Sequence, residues 1–449
     1  MNEASGRSLS KRKFLQLTGA SIVGVNSIQS VEACSFASLP KDFVYLNSGT
    51  EGSMPDCVTQ SLQNSFRQWA SDPTTSYEEN PNLGKRQPRN RSYLEKYLGV
   101  GENQITVTDN TTMGLNLTLM GLNFSAGDKV ITTNHEHNAI LSPLQIQEQR
   151  QNIQIVSRKF PAANALDSYS ATELIEYLFP NVPDLRGAKA LCVSHVYPAT
   201  GIHLPLKLLR QKADELGIKY LIVDGAQAFG MFDITSNSDK NSVSYCDFYA
   251  APGHKWLNGP PGTGFLYLKN DKIRPPEFYP LMSQRMSKFL EPGAEEFPMA
   301  QALQVRGCCN APGFLAMTTA IDYLNSLGGA SKVEEYILAL SHDVKSILKT
   351  TSSSCLVSAV SDGSLNSGLT VFFPFSWQEP DKLFKDKATA YWVVKELLEK
   401  HRLQIRAIGI PRPDGSGSDY ALRVSIAQFT TKKHISYFAK TLQQVLSRI

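Results

Sequence analysis

A carboxylate and an amine are the residues in this chain best placed to do chemistry. Asp224 ends the run Tyr220-Leu-Ile-Val-Asp224, and Lys255 follows within Gly253-His-Lys-Trp-Leu257. Four apolar residues running into an acid are the pattern of a buried parallel strand that delivers the acid to its C-terminal edge, where open α/β sheets bind ligands. A lysine can form a Schiff base with an aldehyde, and an acid can keep a pyridine nitrogen protonated so that the ring drains electrons from a substrate. That pairing is what pyridoxal phosphate (PLP) chemistry needs. Taken alone, Asp224 reads as a helix cap after a core strand and Lys255 as a surface lysine; the surrounding pattern favours the chemical reading.

Other candidates lie upstream. Thr111 and Thr112 follow a strand and open a helix, where free backbone N–H groups, the positive dipole end and two hydroxyls suit a phosphate, although a plain Thr N-cap has the same signature. His135-Glu136-His137 presents two histidines two positions apart, a weak metal pattern without further ligands nearby. Arg423, in Leu422-Arg-Val-Ser425, can hold an amino-acid carboxylate with a bidentate fork if its strand faces a crevice. Arg406 is a second candidate for that task.

These residues need a sheet to hold them. Ile105–Thr108, Lys129–Thr133, Ala190–Val193, Tyr220–Asp224, Phe248–Ala251 and Gly264–Leu268 read as strands alternating with helices, which predicts an α/β fold with a doubly wound, mostly parallel sheet. From about Gly328 the helices lengthen and strands become fewer: Leu369–Phe373, Gln404–Ile408 and Ala421–Ile426. The division expected is a leader over residues 1–40, a large cofactor-binding domain over 41–327 and a smaller α+β domain over 328–449.

Composition narrows the class. Of the 449 residues, 42% are hydrophobic and 19% charged, as in globular chains. A net charge of +4 from 45 basic and 41 acidic residues is too balanced to point to nucleic acid. Seven scattered cysteines without a CxxC pair predict mostly free thiols, no disulfide framework and no zinc site. The stretch Ser10-Lys-Arg-Lys-Phe-Leu-Gln16 and the apolar Leu17–Val25 are similar to a twin-arginine export signal, with Lys11 where the first arginine is expected. The apolar run is too short to span a bilayer. Val31-Glu-Ala33 is a poor cleavage site, so export to the periplasm and a cytoplasmic basic leader both stay open.

The segments Val223–Gly230 (VDGAQAFG), Cys246–Tyr267, Asn134–Ile140 (NHEHNAI) and Leu422–Thr431 resemble the class V branch of the fold-type I PLP enzymes, the cysteine desulfurase and isopenicillin N epimerase-like group. The resemblance runs from about Phe43 to the C-terminus. It implies that Lys255 is the Schiff-base lysine, that Asp224 partners the pyridine nitrogen and that Gln227 donates to the ring's phenolic oxygen. His254 is then a phosphate contact, and His137 is the ring that stacks on the pyridine face, a part ranked well above metal binding; Glu136 is read as structural. Arg423 becomes the substrate-carboxylate residue. Asn47, in a Tyr-Leu-Asn-x-Gly turn, is placed near the substrate. Arg306-Gly307-Cys308 stands where the group carries Arg-Gly-Thr reaching the neighbouring subunit's phosphate, which implies a homodimer and puts Gly307 and Cys308 at a cofactor site.

The departures bear on the reaction. The loop Ile408 to Tyr420 lacks the nucleophilic Cys of the desulfurases, so persulfide transfer has no evident agent. Pro252 replaces a phosphate-binding Ser or Asn, and Pro198 replaces an Asn near the ring oxygen. The expectation is an enzyme acting at the α-carbon of an amino acid, epimerase-like or C–S/C–C lyase-like. The alternatives are an aminotransferase, a desulfurase, or a PLP-fold binding protein without catalysis.

Overall fold

The computed structural model describes residues 34–36, 38–73, 88–283, 286–287, 298–304, 306–307, 309–358 and 361–449. In chain order its strands are β1 (Val44–Tyr45), β2 (Ile105–Thr108), β3 (Lys129–Thr133), β4 (Gln154–Arg158), β5 (Ala190–Ser194), β6 (Tyr220–Asp224), β7 (Phe248–Pro252), β8 (Gly264–Leu268), β9 (Leu369–Phe372), β10 (Leu403–Gln404), β11 (Arg406–Pro411) and β12 (Ser418–Ser425). Seven form one sheet in the order β2-β8-β7-β6-β5-β3-β4. Pairs from β4 through β3, β5 and β6 to β7 are parallel, while β8 runs antiparallel to both β7 and β2. This is the α/β architecture the alternation predicts.

Period-two alternation splits the central strands between two cores. Leu191, Val193, Leu221, Val223 and Tyr249 pack on one face; Ala190, Cys192, Ile222, Phe248 and Ala250 pack on the other. A strand covered on both sides tolerates no polar residue until its end, which is why β6 reads as an unbroken apolar run before Asp224. The edge strand β4 was not anticipated. Its sequence, Gln-Ile-Val-Ser-Arg, is only half-buried and lacks the run that marks the central strands.

A second, three-stranded antiparallel sheet, β11-β12-β9, lies with the helices Ala330–Thr351, Lys387–His401 and Lys432–Leu446. The segment Ile408 to Tyr420, read as a loop, is largely a hairpin: β11 continues to Pro411, which pairs with Ser418. Gly415 and Gly417 take positive φ (78° and 119°) and turn the chain tightly enough to extend both strands.

Two contacts tie the N-terminal arm to the rest of the chain. Cys34 and Cys57 form one disulfide, which the scatter of the cysteines along the sequence does not reveal; it joins the arm to the first turn of the helix Asp56–Ser71. The arm's packing begins before residue 41, because Phe36 is buried against Phe429 and Tyr323, with ring centroids 4.5 and 5.8 Å away. The export-signal-like stretch and Val31–Ala33 lie outside the described residues. No helix among the described residues is long and apolar enough to cross a membrane.

Candidate active site

The loops leaving β3, β5, β6 and β7 and the start of the helix Thr111–Gly121 converge on a pocket of about 400 Å³ at the C-terminal edge of the parallel strands. It gathers Thr111, Thr112, His137, Asp224, Gln227, His254, Lys255, Arg406 and Arg423 from across the chain. Two further walls come from the hairpin, through Ile408, and from the N-terminal turn, through Gly49 and Thr50.

Lys255 and Asp224 meet here. Burial drives the Lys255 amine down to about 8; the Asp224 charge opposes that shift, and Arg423 and Arg406 add to it. Burial raises the Asp224 carboxyl, opposed by the Ala226 N–H that donates to Oδ1 at 2.8 Å and by the charge of Lys255. An amine titrating near neutrality beside a buried acid is chemically primed. The N-terminal turn lies against this segment. Gly52 N–H donates to the His254 carbonyl at 2.7 Å, and a Cβ on Gly52 would come within 1.9 Å of the Lys255 carbonyl oxygen, so only glycine fits.

Gln227 has its orientation fixed by a residue the sequence reading gave no role. Trp256, fully buried, donates its indole N–H to Gln227 Oε1 at 2.8 Å. An indole only donates, so the amide nitrogen must face the other way; it donates to the Gly49 carbonyl at 2.8 Å and keeps one N–H for the pocket.

The helix Thr111–Gly121 is capped by Asn110, whose side chain accepts from Met113 N at 2.9 Å, so neither threonine serves as the N-cap. Thr111 Oγ1 and His254 Nδ1 are buried without a hydrogen-bond partner among the described residues, and both residues line the pocket. An orphaned hydroxyl at a helix N-terminus and an orphaned imidazole nitrogen lining the same pocket are what a phosphate satisfies, so the residues present fit PLP.

The two histidines of His135-Glu136-His137 part company. His137 lies at the pocket, with Nδ1 accepting from Ala139 N at 3.1 Å, which leaves the proton on Nε2. His135 stacks on Phe160 (4.4 Å, 10°) and is buried away from it, with Nε2 3.2 Å from the Pro411 carbonyl. Among the described residues, no three His, Cys, Asp or Glu side chains cluster as metal ligands would. Glu136 is buried between Thr133 and Ser194, whose hydroxyls donate to it at 2.8 and 2.6 Å; burial holds its carboxyl up at about 8.

Arg423 is 3% exposed, and burial, then Arg406, lowers its guanidinium to about 9. It donates to Thr50 Oγ1 at 3.0 Å and to the Pro198 carbonyl at 3.4 Å. Asn47 does not line the pocket; its Oδ1 accepts from the Thr50 hydroxyl at 2.8 Å, so Thr50 is the residue in contact and Asn47 its support. Gly307 (φ 100°) is also absent from the pocket lining, and Cys308 lies outside the described residues. The cysteines Cys192, Cys246, Cys309 and Cys355 do not line it either.

Residues 44–438 match the family model of the class-V aminotransferases, and the chain belongs to that family. A probable cysteine desulfurase of Methanothermobacter thermautotrophicus is 27% identical over 65% of this chain and 68% of its own length. Isopenicillin N epimerase of Amycolatopsis lactamdurans is 29% identical over 42% of this chain and 46% of its own. Among solved structures, the cystine C–S lyase C-DES with its product, cysteine persulfide, superposes with a TM-score of 0.71 at 23% identity, covering 91% of this chain and 99% of that one. A C-DES mutant carrying glycine covalently linked to its PLP cofactor gives the same TM-score at 22% identity, over 91% and 98%. The fold is that of the fold-type I PLP enzymes, and the protein is a PLP-dependent member of the class-V family.

Proposed function

We propose that the protein removes the α-proton of an amino-acid substrate and ends the reaction as a C–S lyase or an epimerase, without passing sulfur to a thiol of its own. The carrying observation is the Lys255 amine, buried in the pocket with Asp224 and lowered towards neutrality. PLP supplies an aldehyde for the amine and a ring that withdraws electrons from the substrate's α-carbon.

The residues of this chain divide the rest. Asp224 would hold the cofactor's ring nitrogen, and Gln227, aimed by Trp256, would donate to its ring oxygen. Thr111, Thr112 and His254 would take the phosphate, with Pro252 contributing no donor. His137 would cover the ring, and Arg423 would fix the substrate carboxylate. Lys255 would move the α-proton as base and then acid. The hairpin from Ile408 to Tyr420 and the pocket wall offer no thiol among the described residues, which supports a lyase or epimerase outcome over persulfide transfer.

The test is α-proton exchange. Purified holoenzyme in heavy water, offered a panel of L-amino acids, is expected to incorporate deuterium at the α-carbon of its substrates and release either the D-isomer or an elimination product. Absence of exchange across the panel refutes the reading. We also propose a homodimer in which the Arg306-Gly307 segment completes the partner's phosphate site; a monomeric holoenzyme in light scattering refutes it.

A further inference from the structure

Arg406 and Arg423 are directly opposed across the β11–β12 ladder. Cross-strand neighbours on one face have Cβ atoms about 5 Å apart, and like charges placed so are destabilising. Both guanidiniums donate to the same oxygen, Thr50 Oγ1, each at 3.0 Å. The Thr50 proton goes to Asn47, so that hydroxyl is a neutral acceptor and offsets neither charge.

Among the described residues, no carboxylate lies within ion-pair distance of either arginine. Elsewhere the fold sets several arginines against acids: Arg210 with Asp214 and Asp247, Arg402 with Asp42, Arg412 with Asp419. A repulsive pair kept uncompensated at one pocket wall calls for anions from outside.

Their depths differ. Arg423 is buried, while Arg406 is exposed at the rim, and Ile408, two residues along β11 on the same face, is an apolar wall beside it. One carboxylate on Arg423 leaves Arg406 unanswered. We propose that the substrate is an amino acid with a second anionic group, its α-carboxylate on Arg423 and its distal acid on Arg406. The proposal rests on the reading that Arg423 takes the α-carboxylate.

Equilibrium titration of the holoenzyme, followed by the cofactor's absorbance, tests it with acid and amide pairs of equal size. Suitable pairs are aspartate and asparagine, glutamate and glutamine, S-carboxymethylcysteine and S-carbamoylmethylcysteine. In at least one pair the acid is expected to bind about tenfold more tightly, as a charge-assisted contact gives. Arg406→Gln should bring that ratio to about one, and Arg406→Lys, which keeps the charge without the fork, should retain part of it. Arg423→Gln should weaken both members. Equal affinity within every pair, or a ratio that survives Arg406→Gln, overturns the inference while leaving the α-carbon chemistry standing. If no amino acid perturbs the cofactor, or Arg423→Gln changes nothing, the underlying reading has failed instead.

Discussion

Trp256 donates its indole N–H to Gln227 Oε1 at 2.8 Å, and that bond sets which end of the amide is left to donate into the pocket. Trp256→Phe would leave a buried carbonyl oxygen without a donor, at a cost of about 1–3 kcal/mol, and would free the amide to rotate. The expected result is weaker PLP binding, read as the dissociation constant from cofactor fluorescence. An unchanged constant would show that Gln227 is held by Gly49 alone.

Lys255→Ala should bind PLP without covalent capture. The absorbance near the visible edge that borohydride abolishes in the native protein should be missing, and α-proton exchange should fall by about 10²–10⁴-fold. Persistence of a borohydride-trapped adduct in the variant would assign the capture to another amine.

The pH dependence of capture follows from the same group. Only the neutral amine attacks an aldehyde, and burial lowers Lys255 to about 8. The capture rate should therefore climb with pH and level off above about 8. Because the Asp224 charge holds this value up, Asp224→Asn should move the plateau to lower pH. Stopped-flow mixing with PLP decides the matter; a plateau that moves upward would contradict the sign.

Lys345, on the helix Ala330–Thr351, is fully buried far from any such task. Its Nζ donates to Asn366 Oδ1 at 3.1 Å, and burial lowers it to about 7, with Asp167 opposing. The unfolded chain keeps a proton on this amine up to about 10.5, so the folded state is fully penalised below about pH 7 and stability gains as pH rises above it. Lys345→Met should remove that gain, seen as a flatter plot of urea midpoint against pH between 7 and 10. Equal slopes in both proteins would rule the effect out.

Reducing the Cys34–Cys57 bond opens a 23-residue separation, worth about 3 kcal/mol of chain constraint. The loss should be local, because the arm is also held by Phe36 and by the Leu46 N–H, which donates to the Gln404 carbonyl at 2.9 Å. Hydrogen exchange should rise over residues 34–46 in Cys34→Ser while the β5 and β6 amides stay protected. Uniform loss of protection would make the bond a global staple.

Much of this was legible because buried parallel strands write themselves as apolar runs. β6 and its terminal Asp224, the Lys255 segment and the threonines that open the helix Thr111–Gly121 all announce their places through local pattern. What stayed hidden depends on contacts between distant segments. Thr50, Trp256 and the Cys34–Cys57 pair carry no local signal: Thr50 and the two cysteines matter through where the N-terminal arm lies, and Trp256 through its bond to Gln227. The opposed arginines belong to the same class, since register is set by the hairpin turn and not by either strand's composition.

The pocket draws its wall from two separate scaffolds. Asp224 and Lys255 ride on the large sheet, whereas both arginines ride on one antiparallel ribbon of the small one. A laboratory evolving new selectivity could therefore vary Arg406 and Ile408 at the ribbon's rim while keeping Arg423, Asp224 and Lys255 in place.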